Sequence, residues 1–490
     1  MARRYAVLLP VLLLLSAPSL TSVVAEPDGD LPEQLHLALS GDASQMIITW
    51  VTATHADGGV EWGRAASDLN QSAEGSNHTY DADDWSGVIH DAPMSDLAAG
   101  TEYHYRVGDD EAGWSAVHSF RTSPSDASRV RIGVIADMDE TDAARDVVAA
   151  MSSADLDLVL FSGDVSYAYD STRFWDEVDG EEWDDWGRLY ERVSAEVPTM
   201  FAVGNHENEE QDGCEGCGFK AYLSRVNMPN SSSESDSEFW YSFNFSLFHI
   251  ISLSSEHDYT TGSAQRTWLA ADLATADADR EAHPWLVVMF HRPMYSSSES
   301  GHGSELDLRE ALESLLVEHR VDLVLTGHDH DYERTYPVNA TKPTQTDTNA
   351  FVDAEAPIHL VVGTGGRILY GGSSSEPTWS ASFTSTTHGY GVLELLDRES
   401  LQFTFYDDEH GDVLDVFTLS RNGSVEPEHT AVPTTGSSML SNLFDHPLIA
   451  GLLLTLVLAA AVLLIRVRAT TASAAAEAAD DEPDDLLLVD

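Results

Sequence analysis

Asp164 and Tyr167 stand three residues apart, just past an apolar run, Leu158–Phe161, that breaks at Gly163. A carboxylate and a phenol at that spacing can ligate one hard metal ion or bridge two. Taken alone, the pair is explained as well by an aspartate capping a turn and a tyrosine packed on it. The arrangement recurs, and the recurrence decides for metal chemistry. Asp137 follows the apolar residues 130–136, and Asn205 and His206 follow residues 198–203. His291 follows residues 285–290, and His328 and His330 follow residues 321–326. Mixed oxygen and imidazole donors in this number suit iron, manganese or zinc, and they suffice for two ions sharing a bridge.

Donors so scattered along the chain must be gathered by the fold. The five short apolar runs read as strands buried on both faces. In open α/β sheets the ligand site lies beyond the carboxyl ends of the strands, so the five runs should deliver their polar residues to one rim. Helices are expected over residues 142–154 and around Leu308, Ala311, Leu312, Leu315 and Leu316. In the acidic, tryptophan-rich stretch that follows Trp175, Trp183, Trp186 and Tyr190 share one helical face and read as core. His249 and His359 sit inside strand-like runs and His319 closes a helix, which favours structural roles for all of them.

Residues 32–124 read as a separate all-β module. Met46, Ile48 and Trp50 alternate along one strand, and Tyr103, Tyr105 and Val107 along another. The string Leu97-Ala-Ala-Gly-Thr-Glu-Tyr103 is similar to the tyrosine corner of fibronectin type III domains, so these aromatics belong to a core.

The motif series as a whole resembles that of the purple acid phosphatases, which are binuclear metallophosphoesterases. It runs Asp137, Gly-Asp164-x-x-Tyr167, Gly-Asn205-His206-Glu207, Val288-x-x-His291 and Gly327-His328-x-His330. The strings Phe239-Trp-Tyr-Ser-Phe, Ser254-Ser-Glu-His, His291-Arg-Pro-Met-Tyr, His330-Asp-Tyr-Glu-Arg-Thr-Tyr-Pro337 and Gly363-Thr-Gly-Gly366 agree with it. The likeness spans residues 32–420. The first motif departs from the family pattern, in which glycine usually stands beside the aspartate; here it reads Ala136-Asp137-Met138-Asp139.

The resemblance implies an α/β fold, a calcineurin-like metallophosphoesterase β-sandwich flanked by helices at 130–420, after a fibronectin III-like domain at 32–124. It implies Fe(III) held by Asp137, Tyr167 and His330, a divalent ion (Fe, Zn or Mn) held by Asn205, His291 and His328, and Asp164 as the bridge. His206 and His302 would be the catalytic side chains, and with Asn205 they would bind substrate. The implied reaction is acid hydrolysis of phosphate monoesters, of small molecules or of a phosphoprotein, by metal-activated water or hydroxide. A phosphodiesterase or nucleotide hydrolase on the same core, or a non-catalytic membrane receptor or adhesion protein, are the alternatives. An intact donor set speaks against the last.

Charge and flanking segments bound the setting. With 25 basic and 83 acidic residues the formal net charge is −58, which excludes nucleic acid and a polybasic membrane patch as partners. Residues 1–25 read as a secretory signal peptide, with Arg3 and Arg4 before the apolar stretch. Sequons at Asn70, Asn77, Asn230, Asn244, Asn339 and Asn422 fit a glycoprotein. In that oxidising setting Cys214 and Cys217, the only cysteines, are expected to form a local disulfide. Residues 421–446 read as a stalk, 447–466 as one transmembrane helix, and 467–490 as a cytosolic acidic tail, with Arg466 and Arg468 on the inner side. The tail string Glu482-Pro-Asp-Asp-Leu-Leu487 resembles a dileucine signal for a sorting adaptor. The expectation is a type I membrane protein with its catalytic domain in the lumen, lysosome or vacuole, or outside the cell; a homodimer is compatible with it.

Overall fold

Alternation explains the first domain only in part. Met46, Ile48 and Trp50 of the strand Met46–Thr52 do point into a core shared with Tyr103, Tyr105 and Phe120. Yet Val51 on the opposite face is also buried, with Ala38 and Ile89 of neighbouring strands, against the core of the catalytic domain. The sheet is therefore covered on both sides. It runs in the order Glu33–Leu39, Met46–Thr52, Val88–Met94, Ser76–His78. A second sheet, built on Gly59–Gly63 and Glu102–Asp109, closes the sandwich. The Ala98 N–H donates to the Tyr103 hydroxyl at 3.0 Å, which is the tyrosine corner. The Tyr105 hydroxyl donates to the Ala195 carbonyl at 2.7 Å and ties this domain to the next.

This computed structural model describes residues 31–421, apart from 56, 82–84, 126–128, 169–181, 211–217, 347–348 and 373. The expected signal peptide, disulfide, stalk, transmembrane helix and tail, together with Trp175 and Asn422, lie outside the described residues. Among the described residues no helix is long and apolar enough to cross a membrane.

The catalytic domain is two mixed sheets of seven strands each. In the first, Thr199–Phe201, Leu158–Phe161 and Val130–Ile135 run parallel, followed by Gly389–Asp397, Ser400–Asp407, Val413–Ser420 and Ala350–Val352. In the second, Phe248–Ser252, Trp285–Met289, Leu323–Thr326 and Ile358–Val362 are parallel, with Tyr241–Phe245 at one edge and Tyr332–Thr335 and Ser380–Thr384 at the other. The five apolar runs are thus divided, three to one sheet and two to the other, instead of lining a single sheet's rim.

Burial on both faces shows why the runs carry no polar alternation. Trp285, Val287 and Met289 join the large core shared with the first sheet. Leu286 and Val288, between them, pack with Leu269 and Leu273 of helix Ala264–Ala278 and with Leu308, Leu312 and Leu316 of helix Leu306–Glu318. The outer face of the first sheet is covered by helices Asp142–Ser152 and Glu182–Ser194. Thr141 caps the former, its side chain accepting from the Ala144 N–H, and Tyr190 of the latter meets Phe161 edge-on at 5.9 Å.

A buried arginine–carboxylate pair crosses between the sheets. Arg334 Nε and Nη2 donate to Asp415 at 2.6 and 3.0 Å, and the Tyr332 hydroxyl donates to the same carboxylate at 2.7 Å. Arg334 is only 1% exposed, so removing its partner strands a charge in the core. Asp415→Ala is expected to destabilise the domain by about 3–5 kcal/mol, read from a denaturant titration. A loss under about 1 kcal/mol, the range of exposed pairs, would mean the pair does not hold the sheets.

Candidate metal centre

Each donor sits where a strand stops, and the backbone there is bent hard. Asp137, Asp164, Tyr167 and His328 all adopt positive φ, at 58°, 54°, 53° and 69°. This left-handed region costs a residue with a Cβ about 1 kcal/mol or more and persists only where neighbours impose it. The neighbours are visible. Asp137, Met138 and Asp139 N–H groups donate to the carbonyls of Gly163, Asp164 and Val165, stitching the first two loops together. Buried Glu207 accepts from the Asp164, Val165 and Gly204 N–H groups at 2.9, 2.7 and 2.6 Å. Close approach leaves no room at two glycines: a Cβ on Gly204 would lie 2.2 Å from Asp164 Oδ1, and one on Gly327 2.3 Å from Asp137 Oδ2.

The donor atoms fall into two groups. Tyr167 Oη lies 2.9 Å from both Asp137 Oδ1 and His330 Nε2, and the latter two are 3.6 Å apart. In the second group, His291 Nε2 is 3.0 Å from Asp164 Oδ2 and 3.2 Å from His328 Nδ1. The atoms that Asp164, His291 and His328 offer all lie within 4.8 Å of one another. Tautomers follow from the outer contacts. His291 Nδ1 faces the Ser162 carbonyl at 2.9 Å and His330 Nδ1 the Ile368 carbonyl at 2.8 Å, so both rings present Nε2 to the centre.

Whether ions suit this site is tested by what the donors leave unsatisfied. Asn205 Oδ1 is buried and has no hydrogen-bond partner among the described residues. An orphaned buried amide oxygen, one residue before the N–H that meets Asp164, fits a cation. Charge agrees. Burial works against ionising Asp164, but the charges of His291 and His206 outweigh it and hold the carboxyl well below its usual range. Burial likewise opposes charge on His291, yet Asp164 carries it up to about 10. Burial pushes Asp137 up to about 8 and takes His330 down to about 4. The donors by themselves thus keep a proton between His291 and Asp164, which a bound cation would displace.

His206 and His302 stand beside the donors, not among them. The His206 backbone N–H donates to Asp164 Oδ1 at 2.8 Å, its ring lies 4.4 Å from that of Tyr167, and the side chain is half-buried. His302 is exposed at the rim and stacks on His328 at 4.0 Å and 25°. Neither His249 nor His319 comes to the site; each pairs with an aspartate elsewhere, and His359 is buried in its strand.

Family models match nearly the whole described chain. The purple acid phosphatase N-terminal domain matches residues 32–122, the calcineurin-like phosphoesterase 130–332, and the iron/zinc purple acid phosphatase-like protein C 356–416. Purple acid phosphatase 22 of Arabidopsis thaliana is 33% identical, over 76% of this chain and 82% of its own. The chain belongs to the purple acid phosphatase family. A phosphoenolpyruvate phosphatase of Allium cepa is 35% identical over 75% of this chain and 77% of its own. The solved structure of a purple acid phosphatase from yellow lupin, Lupinus luteus, superposes with a TM-score of 0.71 at 25% identity, covering 80% of this chain and 75% of that one. The protein is accordingly a phosphatase of the binuclear metal class.

Four residues beside the centre of this purple acid phosphatase carried no role in the sequence reading. Glu207 is the clamp just described. Tyr370 stacks on His330 at 4.5 Å and 8°. Arg292, held by Glu256 at 2.7 and 2.9 Å, places Nη1 3.2 Å from His328 Nε2. Arg367 lies over Tyr167. Three of them sit inside or just after quoted motifs, Gly-Asn205-His206-Glu207, His291-Arg and Gly363-Thr-Gly-Gly366, and that adjacency was the available signal.

Proposed function

We propose that this acid phosphatase hydrolyses phosphate monoesters at a two-ion centre. Asp137, Tyr167 and His330 would hold Fe(III), Asn205, His291 and His328 a divalent iron, zinc or manganese, and Asp164 would bridge. The observation that carries the reading is the pair of donor groups, each spaced to surround one ion, with the unpartnered Asn205 oxygen beside them. Such ions, when bound, lower the pKa of a water, orient the ester and neutralise charge developing at phosphorus.

The protein's own part is orientation and proton transfer. Asp164 takes the His206 backbone N–H on Oδ1, and the imidazole Nε2 stands 4.0 Å from Oδ2 of the same carboxylate. From there the ring can bind a phosphoryl oxygen and hand a proton to the departing alkoxide. His302, stacked on His328, would reach the same substrate. Water attacks phosphorus directly, so no phosphorylated side chain forms. The signal-like segment, the sequons and the apolar run Leu448–Ile465 support a membrane-anchored enzyme with its catalytic domain in the lumen or outside the cell.

The test is metal analysis of the purified chain together with a panel of monoesters and diesters, phosphoenolpyruvate among the monoesters. Two metal equivalents with iron, and turnover of monoesters over diesters, are expected. Asn205→Ala should lower the divalent ion's occupancy while iron stays. A chain active without iron, or a preference for diesters, would overturn the assignment.

A further inference from the structure

Asp139 is the second carboxylate of the departing motif Ala136-Asp137-Met138-Asp139, and its surroundings give it a task. It is 1% exposed and holds φ at 68°, a conformation that glycine adopts without strain. One oxygen accepts from the Glu140 N–H at 2.7 Å, and the other pairs with Arg367 Nη1. Arg367 is fixed at its backbone too, its N–H donating to the Asp137 carbonyl at 3.0 Å and its carbonyl facing His388 Nε2 at 3.1 Å. The side chain of Arg367 is 13% exposed and that of Asp139 2%. So anchored, the guanidinium lies 4.5 Å from the centre of the Tyr167 ring, inside the range of about 6 Å at which a cation acts on an aromatic face.

We propose that Arg367, anchored by Asp139, is a positioning residue for Tyr167: a fixed positive charge on the ring face that sets how strongly the phenolate donates to Fe(III). This rests on the assignment of Tyr167 as an iron ligand made above. With the guanidinium over the ring face, an ion bound beyond the phenolic oxygen would lie farther from it than the ring does, so the charge would stabilise the ring's electrons more than the ion's. It also holds the ring so that Oη meets Asp137 and His330. A violet phenolate–iron colour reports this directly, because the transition moves an electron from ring to metal. With Arg367 in place that transfer takes more energy.

The experiment compares visible spectra and iron content of the full-length holoenzyme and its variants. Tyr167→Phe should lose the band. Arg367→Met should keep iron and move the band to longer wavelength, Asp139→Gly should move it the same way by less, and Arg367→Lys should return it towards the parent. If Arg367→Met fails to keep iron, the Asp139→Gly and Arg367→Lys spectra decide. Bands at the parent position in every iron-containing Arg367 and Asp139 variant would overturn the proposal and leave Tyr167 as ligand. A colourless iron-containing parent, or a band that survives in Tyr167→Phe, would instead overturn the ligand assignment, and the proposal with it.

Discussion

His206→Ala is expected to keep both metal positions filled while turnover falls by about 10²–10⁴-fold, the usual worth of a positioned proton donor. The separation from its neighbour is geometric. Asn205 carries a buried oxygen with no partner among the described residues, whereas His206 is fastened by its backbone and has its ring 4.4 Å from that of Tyr167. Metal content and kcat measured on the same preparations check this. Equal metal loss in His206→Ala and Asn205→Ala would erase the distinction between the two roles.

Gly204→Ala should be more damaging than its size suggests. The new methyl would meet Asp164 Oδ1 at 2.2 Å and the Asp164 backbone nitrogen at 2.5 Å. Neither can retreat, since Glu207 grips the Asp164 N–H and the carboxylate is the proposed bridge. Overpacking of this kind costs about 1–3 kcal/mol of stability, but the larger consequence is at the centre, where the bridging oxygen must shift. Loss of metal and of nearly all turnover, in a chain that still unfolds cooperatively, is the expected result. A Gly204→Ala enzyme with full metal content and undiminished kcat would sink the clamp as described.

The donors were legible because they cluster just after apolar runs: once a strand is long enough to be buried on both faces, the polar residues that follow it stand out. Tyr103 and Trp50 were legible as core for the related reason that their neighbours alternate. What the pattern does not encode is which sheet a run joins. Residues 158–161 and 323–326 look alike as strings, yet they lie in different sheets, because that choice depends on their partners: Val130–Ile135 and Thr199–Phe201 for the first, Trp285–Met289 and Ile358–Val362 for the second. Arg367 and Tyr370 stayed hidden for the same cause. A loop stitched to the carbonyls of Ala136 and Asp137 by the Gly365 and Arg367 N–H groups cannot be seen from one position at a time.

The division of the strands has a mechanical consequence. Asp137, Tyr167 and Asn205 hang from the first sheet, and His291, His328 and His330 from the second. Under the proposed assignment each ion takes donors from both, so the two ions act as rivets through one end of the sandwich. A slip of one sheet along the other by a single residue, about 3.3 Å, would shear both rivets together. Chemistry and cohesion are then the same joint: the alignment that readies the centre for an ester is the alignment the ions lock, and bound ions lend the sandwich stability in proportion to how tightly they are held.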